Sequence, residues 1–314
     1  MGSPIAFSGQ SVFDLRSGAF EERDELCMIF PDWTDGPVFH RSFAMQPIYT
    51  ASRDVLGYEL FHRGSHADRF TGEPDMASNT MIDNLLLFGQ EEPNGAFLFV
   101  NCTRATLTGG FLPLLPHNAV IEILETVVPD AEVLAACRQL KKLGYLISID
   151  DFEDAETMRP FLDLADFVKI DFRLSGSDER RDLARKLEGR QLIRIAEKIE
   201  TEAEFQLAIM EGCKLFQGNY LQKAVTFSKV GSCPCPFRLR QLVEALLDPT
   251  SSREEQIDWI RGLPEIEARL LRRAGWKARV EEGTELSISQ ALQIVGVEEF
   301  GKVLHLAMMT MQPA

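Results

Sequence analysis

Short apolar runs alternate with amphipathic stretches between residues 44 and 216. The runs are rich in β-branched and aromatic residues, and most are almost continuously apolar, which is typical of strands buried on both faces of a sheet. Eight strands are predicted, at residues 44–50, 55–61, 96–102, 119–124, 145–150, 166–170, 192–196 and 213–216. Five helices are predicted between them, at residues 76–88, 130–143, 154–164, 177–187 and 201–210. The last begins with Thr201-Glu-Ala-Glu204, which predicts a capping box. The alternation predicts an α/β fold, a compact (β/α)8 barrel.

The segments on either side of this alternation have different patterns. Residues 1–40 are acidic with weak periodicity, and we interpret them as an N-terminal arm that precedes a barrel at residues 41–227. Residues 228–236 are rich in serine, glycine and proline and predict a linker. Helices alone are predicted after it, at residues 237–248, 253–261, 264–273, 287–295 and 298–309, so residues 237–314 form a small all-α domain.

The charge of the chain restricts its ligands. The 314 residues carry 48 acidic and 33 basic side chains, a formal net charge of −15. This charge argues against a nucleic-acid binder, and a small anionic ligand would need metal ions or a few local cations. The sequence has no apolar run long enough to span a membrane and no signal peptide at its start, so we expect a cytoplasmic protein. The spacing of its six cysteines suggests reduced thiols.

Polar side chains lie at or near the carboxyl ends of most predicted strands. In a βα barrel these ends meet in one site, whereas a carboxylate elsewhere in a buried strand would lack a partner. The carboxylates are Glu59, Glu122, Asp150, Asp151, Asp171 and Glu197, and Asn101, Lys169 and Gln217 lie among them. Converging carboxylates repel one another without cations, so the pattern indicates a divalent metal, and oxygen ligands favour Mg²⁺ or Mn²⁺ over zinc.

The two adjacent aspartates predict where the strand that precedes them ends. Asp150 and Asp151 cannot point the same way within a strand, because successive side chains of a strand alternate between its faces. We therefore expect the strand to end there and turn, so that both carboxylates reach the site.

The strand-end segments together resemble a known family, the EAL domains of bacterial signalling proteins, which bind or hydrolyse cyclic di-GMP. The resemblance rests on residues 45–49 (MQPIY), 57–63 (GYELFHR), 99–101 (FVN), 121–125 (IEILE), 149–152 (IDDF), 168–171 (VKID), 196–201 (AEKIET) and 216–220 (FQGNY). The signature glutamate is Glu59, in the triplet Glu59-Leu60-Phe61.

This resemblance implies roles for ten residues and a reaction. It implies that two metal ions, Mg²⁺ or Mn²⁺, promote hydrolysis of cyclic di-GMP to linear pGpG by in-line displacement. The implied metal ligands are Glu59, Asn101, Glu122 and Asp150, with Asp151 bridging the two ions. Lys169 would hold the attacking water, Glu197 would act as a base or further ligand, and Gln217 would orient the cluster; Gln46 and Arg63 would contact guanine and phosphate.

The helical tail and one loop keep a second interpretation open. The tail, through residues 246–249, 257–263, 270–271 and 288–296, resembles the beginning of an HDOD domain, as in EAL–HDOD fusions of the YuxH type, and lacks a His-Asp dyad. Acidic residues occupy the loop at 153–157 that is rich in glycine and serine in active EAL domains, and the segments 59–101 and 101–122 are short. The alternative is therefore a catalytically inactive receptor of cyclic di-GMP or a scaffold, whose tail binds a protein partner. A homodimer is also left open.

Overall fold

A computed structural model of the chain describes residues 38–63, 73–89, 95–152, 158–280 and 284–310. The strands within these ranges are β1 (Val38–Thr50), β2 (Val55–Arg63), β3 (Phe97–Cys102), β4 (Ala119–Ile123), β5 (Leu146–Ile149), β6 (Phe167–Asp171), β7 (Ile193–Glu197), β8 (Leu215–Phe216) and β9 (Val225–Ser232). The helices are α1 (Pro74–Phe88), α2 (Arg104–Thr108), α3 (Ala131–Lys142), α4 (Arg159–Leu162), α5 (Ser177–Lys186), α6 (Glu202–Met210), α7 (Pro236–Leu247), α8 (Arg253–Arg261), α9 (Pro264–Ala278), α10 (Ile288–Val295) and α11 (Val297–Thr310). None of these helices is long and apolar enough to cross a membrane.

Strands β1 to β8 close into a barrel, as predicted. Strands β2 to β8 are parallel neighbours in chain order, and β1 pairs antiparallel with both β2 and β8. The direction of β1 follows from its connection, because only residues 51–54 separate it from β2 and so short a turn joins antiparallel strands. The barrel is therefore a modified (β/α)8 fold with one reversed strand.

Alternation along the strands divides the barrel interior into an apolar base and a polar mouth. Buried apolar side chains fill the base, namely Ile48, Phe99, Val120, Phe167, Ile195 and Leu215. Two residues further toward the carboxyl end, the same inward face carries Asn101, Glu122 and Lys169 on β3, β4 and β6. A second, larger apolar core lies between the outside of the sheet and the helices. The period of two thus brings polar groups of separate strands into one layer.

Two boundaries predicted from the sequence are wrong. The predicted linker at 228–236 is strand over most of its length, because β9 pairs antiparallel with β1 from Val38↔Ser232 to Met45↔Val225. The ring of Phe227 stacks on that of Phe43, with centroids 5.6 Å apart. Residues 38–40, assigned to the arm, begin β1, and the rest of the arm lies outside the described residues. An exposed edge strand tolerates the serine, lysine and glycine that resemble a linker.

The helices agree closely with the sequence pattern. All five predicted tail helices form, and α6 begins at the predicted capping box, where Thr201 Oγ1 accepts the Glu204 N–H at 3.2 Å and Glu204 Oε2 accepts the Thr201 N–H at 3.0 Å. The helix predicted at 154–164 is seen at Arg159–Leu162, and residues 153–157 lie outside the described ranges.

A buried cluster of charged and polar side chains links the helical tail to the barrel. Asp83 on α1 accepts two hydrogen bonds from Arg269 on α9, at 2.7 and 2.8 Å, one from Arg41 on β1 at 2.5 Å, and one from Thr310 on α11 at 2.7 Å. Asp83 and Arg269 are both 0% exposed. Burial alone would raise the pKa of Asp83, but the two arginines and Thr310 lower it below its ordinary value of 3.8. The cluster is therefore fully charged above that value, and its contribution to stability is lost as the pH falls below it.

We expect the substitution Asp83→Ala to lower the free energy of unfolding by about 3–5 kcal/mol, because it leaves two buried guanidinium groups without their carboxylate. Urea denaturation followed by circular dichroism measures this. The control is Asp182→Ala, which removes an exposed partner of Arg185 on α5 and is expected to cost no more than about 0.5 kcal/mol. Equal losses for the two variants would contradict a structural role for the cluster.

Candidate metal centre

One buried ammonium group lies at the centre of the barrel mouth. Lys169 extends from β6 into the interior and is 1% exposed. Its Nζ lies 2.9 Å from Glu59 Oε2, 2.5 Å from Glu122 Oε1, 3.1 Å from Asp150 Oδ1 and 2.8 Å from Glu197 Oε1. These carboxylates come from β2, β4, the residue after β5, and the end of β7. The structure thus brings together five of the residues selected from the sequence.

The electrostatics of this cluster are dominated by burial and by its excess of acids. Burial alone would lower the pKa of Lys169, but the four carboxylates raise it well above its ordinary value, so the ammonium stays charged. Burial raises the pKa of Glu197 to about 8 although Lys169 opposes the rise, and burial likewise raises the pKa of Glu122. One ammonium cannot neutralise four carboxylates, so the site has the charge of a centre that binds further cations.

Amide side chains fix the orientation of Glu59. Gln217, directly after β8, donates from Nε2 to Glu59 Oε2 at 2.9 Å and to Gln46 Oε1 at 3.1 Å. Asn101 donates from Nδ2 to Glu59 Oε1 at 3.1 Å. Both oxygens of Glu59 are therefore held by neighbours, and Gln46, opposite Glu59 in the β1–β2 pairing, lines the same cavity.

The paired aspartates turn as expected from the sequence. Strand β5 ends at Ile149, and Asp151 adopts a φ of 37°, in the left-handed region. The Asp150 N–H still donates to Ile123 O at 2.9 Å. As a result, Asp150, Asp151 and Glu197 each offer a carboxylate oxygen within 4.8 Å of the others. This spacing suits a shared cation.

Buried polar atoms without partners support a fit to a metal ion. Both carboxylate oxygens of Glu122, Gln217 Oε1 and Ser148 Oγ are buried and make no hydrogen bond with the residues that the structure describes. Glu122 Oε1 is close to Lys169 Nζ but outside hydrogen-bond geometry. Buried polar groups in proteins are nearly always satisfied. Gln217 lines a cavity of about 310 Å³ together with Glu59, Asp150, Asp151 and Glu197, and Glu122 contacts Lys169, which lines the same cavity. An oxygen-only donor set of this kind fits a divalent cation such as Mg²⁺ or Mn²⁺.

Arg63 occupies a different position from the carboxylates. It is the last residue of β2, and its guanidinium lies 5.7 Å from the ring centroid of Phe61. Phe61 lines the cavity, whereas Arg63 is not among the described lining residues. Arg63 therefore lies beside the cavity wall. It directly precedes residues 64–72 in the chain, which lie outside the described ranges.

Several residues of the site were not selected from the sequence. Lys198 hydrogen bonds to Asp171 and lies 3.4 Å from Asp151, and Arg173 pairs with Glu200 at 3.0 Å on the cavity wall. The signal for Lys198 was a basic residue directly after a strand-end carboxylate. Ser148, a small polar residue within an apolar strand, gave a weaker signal.

Comparisons with known proteins agree with this geometry. Residues 112–224 match the EAL domain family. The part of the barrel from β4 to β8 is therefore similar to an EAL domain. The chain is 33% identical over 190 residues to the protein YuxH of Bacillus subtilis, covering 57% of the chain and 46% of YuxH. It is 30% identical over 225 residues to the cyclic di-GMP phosphodiesterase CdgJ of Vibrio cholerae, covering 69% of the chain and 51% of CdgJ. The chain therefore spans about half the length of these curated relatives.

A solved structure supports the EAL barrel fold. The PaMucR phosphodiesterase, in complex with c-di-GMP, aligns with a TM-score of 0.50 and 23% identity, over 58% of this chain and 96% of that one. The family match begins at residue 112, after Glu59 and Asn101. These two residues are linked to the matched segment through the hydrogen bond from Asn101 to Glu59, at 3.1 Å, and the ion pair of Glu59 with Lys169, at 2.9 Å.

We expect Lys169→Met to lower the free energy of unfolding by about 3–5 kcal/mol without metal, because it removes the cation that separates four buried carboxylates. Added Mg²⁺ should restore part of this loss by supplying positive charge. Urea denaturation with and without Mg²⁺ measures both effects.

The control for this variant is Lys214→Met. Lys214 is an exposed lysine before β8, and its replacement is expected to change stability by no more than about 0.5 kcal/mol. If Lys169→Met were as stable as the Lys214 variant in the absence of metal, the assigned role of the ammonium would be wrong.

Proposed function

We propose that this chain is a metal-dependent phosphodiesterase that hydrolyses cyclic di-GMP to linear pGpG. The observation that carries the proposal is the convergence of Glu59, Glu122, Asp150 and Glu197 on the buried Lys169 ammonium at the mouth of an EAL barrel. The name of CdgJ as a cyclic di-GMP phosphodiesterase supports the choice of substrate.

The proposed cofactor is a pair of Mg²⁺ or Mn²⁺ ions. Glu59, Asn101, Glu122 and Asp150 would hold one ion, Asp150, Asp151 and Glu197 lie around the position of the other, and Asp151 would bridge the two. Two such ions, when bound, neutralise the charge that develops on the attacking and leaving oxygens of the phosphodiester. Glu122 Oε2, which has no hydrogen-bond partner among the described residues, supports the first position, and the grouping of three carboxylate oxygens within 4.8 Å supports the second.

The side chains of the protein have separate proposed tasks. Lys169 Nζ holds the attacking water as a hydrogen-bond donor, and its permanent charge suits it to a donor rather than a base. Glu197, whose Oε1 lies 2.8 Å from Lys169 Nζ, accepts a proton at its carboxylate or acts as a further metal ligand. Gln217 orients Glu59, while Gln46 and Arg63 bind guanine and phosphate.

The cavity offers cations to an anionic ligand despite the negative charge of the whole chain. Lys198 and Arg173 line the cavity with side chains that are 46% and 60% exposed. A few cations of this kind, together with metal ions, reverse the sign of the potential locally. The acidic stretch at 153–157, which bears on the inactive alternative, lies outside the described residues.

The remaining assignments concern the organisation of the whole chain. We propose a barrel domain, which the pairing of β9 with β1 extends to residues 38–232, and an HDOD-like helical fragment at 237–314, of the YuxH type. The helical fragment is proposed to bind a protein partner, the protein is proposed to act in the cytoplasm, and a homodimer is an additional proposal. The buried contact of Asp83 with Arg269 supports a tail that is integral to the folded protein.

The direct test is incubation of the purified chain with cyclic di-GMP and Mg²⁺ or Mn²⁺, followed by chromatography of the products. We expect linear pGpG from the wild type and a loss of at least about a hundredfold in rate for Glu59→Ala, which removes a proposed metal ligand. The control is Glu188→Gln, an exposed residue between α5 and β7 that should leave the rate unchanged.

Three outcomes separate the interpretations. Binding of cyclic di-GMP without product would support the inactive receptor, and neither binding nor product would support a scaffold. Product formation that persists in Glu59→Ala would show that the activity does not come from this site.

A further inference from the structure

A second ammonium group, that of Lys198, lies at the rim of the same cavity. Its Nζ donates a hydrogen bond to Asp171 Oδ2 and lies 3.4 Å and 3.5 Å from the two carboxylate oxygens of Asp151. Among the described residues, Lys169 forms ion pairs with four carboxylates, and Asp151 is not one of them. Asp151 is therefore paired with Lys198 and not with the central ammonium.

The position of Lys198 is fixed by an anchored partner. Asp171 is 5% exposed, and its Oδ1 accepts the backbone N–H groups of Arg173 at 2.7 Å and Leu174 at 3.1 Å. Burial alone would raise the pKa of Asp171, but the hydrogen bonds from Lys198 and from these amides lower it, so the carboxylate stays charged. A rigid, charged carboxylate thus holds the Lys198 ammonium beside Asp151.

The backbone around this ion pair is also unusual. Lys198 has a φ of 57° and Asp151 a φ of 37°, so both adopt the left-handed region that residues other than glycine seldom occupy. Neighbouring amides fix these turns, since the Phe152 N–H donates to Lys169 O and the Ile199 N–H donates to Gln217 O, each at 3.1 Å. The two strained turns direct the Lys198 and Asp151 side chains toward each other at the cavity rim.

The Lys198 ammonium lies beside three carboxylates that could bind a metal ion together. Asp150, Asp151 and Glu197 offer oxygens within 4.8 Å of one another, so a cation among them would share Asp151 with Lys198. The bound cation and the Lys198 ammonium would repel each other, because both would contact the same carboxylate. Each would therefore weaken the binding of the other to Asp151.

We propose that Lys198 lowers the affinity of the Asp150–Asp151–Glu197 cluster for a divalent cation by competing for Asp151. Lys198 is thus a residue that sets the metal affinity of this position. This inference rests on the metal centre of the proposed function.

Three variants separate the charge of Lys198 from its bulk and from the general field of the cavity. Lys198→Met removes the charge and keeps an unbranched side chain, while Lys198→Arg keeps the charge. Arg173→Met removes a cation from the same cavity, but Arg173 pairs with Glu200 at 3.0 Å and not with the metal cluster. Lys198 and Arg173 are both substantially exposed, so we expect all three variants to fold.

The experiment is calorimetric titration of Mn²⁺ into the full chain at low ionic strength, after removal of metal with a chelator. For Lys198→Met we expect the weaker of two bound ions to bind at least about tenfold more tightly, or a second ion to become detectable. Lys198→Arg and Arg173→Met should stay within about threefold of the wild type. A larger metal-induced rise in Tm for Lys198→Met than for the wild type is the second measurement.

Each other outcome overturns the inference in a recognisable way. If the wild type binds Mn²⁺, unchanged binding in Lys198→Met would mean that Lys198 does not compete for Asp151, and weaker binding would mean that it holds Asp151 in place for the metal. The proposed phosphodiesterase would stand in both cases. If Arg173→Met raised the affinity for Mn²⁺ as much as Lys198→Met, the effect would come from the overall electrostatic potential of the cavity and not from Lys198 in particular. The absence of Mn²⁺ binding in every variant would overturn both this inference and the proposed metal centre.

Discussion

The Lys169 ammonium and the carboxylates around it depend on one another. A buried lysine is costly unless it is paired, and four buried carboxylates repel one another unless a cation lies between them. The barrel meets both conditions, because its strands end at one mouth and the alternation of side chains places Glu59, Glu122 and Lys169 in one layer above an apolar base. The excess of negative charge that remains is the reason why this mouth suits metal ions and, through them, a phosphate ligand.

The second charged cluster, around Asp83, links that barrel to the helical tail. Helix α1 follows β2 in the chain, and β2 carries Glu59. Arg269 and Thr310 of the tail bind Asp83 on α1, and Arg272 donates to the carbonyl groups of Leu86 and Leu87 at 2.7 and 2.6 Å, near the end of the same helix. The tail thus satisfies buried polar groups of the barrel domain, so the two parts are coupled in stability.

The parts of the fold that were predictable are those in which local pattern and tertiary environment agree. Parallel strands buried on both faces produce continuous apolar runs, and the helix at Glu202–Met210 begins at the capping box that its sequence predicts. Strand β9 was missed because an edge strand is half exposed and tolerates residues typical of a linker.

Contacts between distant residues limited what the sequence revealed of the site. The convergence of the strand ends followed from barrel geometry, and the resemblance to EAL domains assigned them roles. Lys198 was missed because its importance depends on two left-handed turns, and Asp83 because its partner Arg269 is 186 residues away. Neither relation leaves a periodic signal in the sequence.

The central claim is that the carboxylates around Lys169 form a divalent metal centre. Its most direct test is a crystal structure of the full chain grown with Mn²⁺, with anomalous diffraction recorded at the manganese edge. We predict an anomalous peak among Glu59, Asn101, Glu122 and Asp150, and a second one among Asp150, Asp151 and Glu197. A barrel mouth without any anomalous peak at saturating Mn²⁺, in which Lys169 alone pairs with the carboxylates, would contradict it.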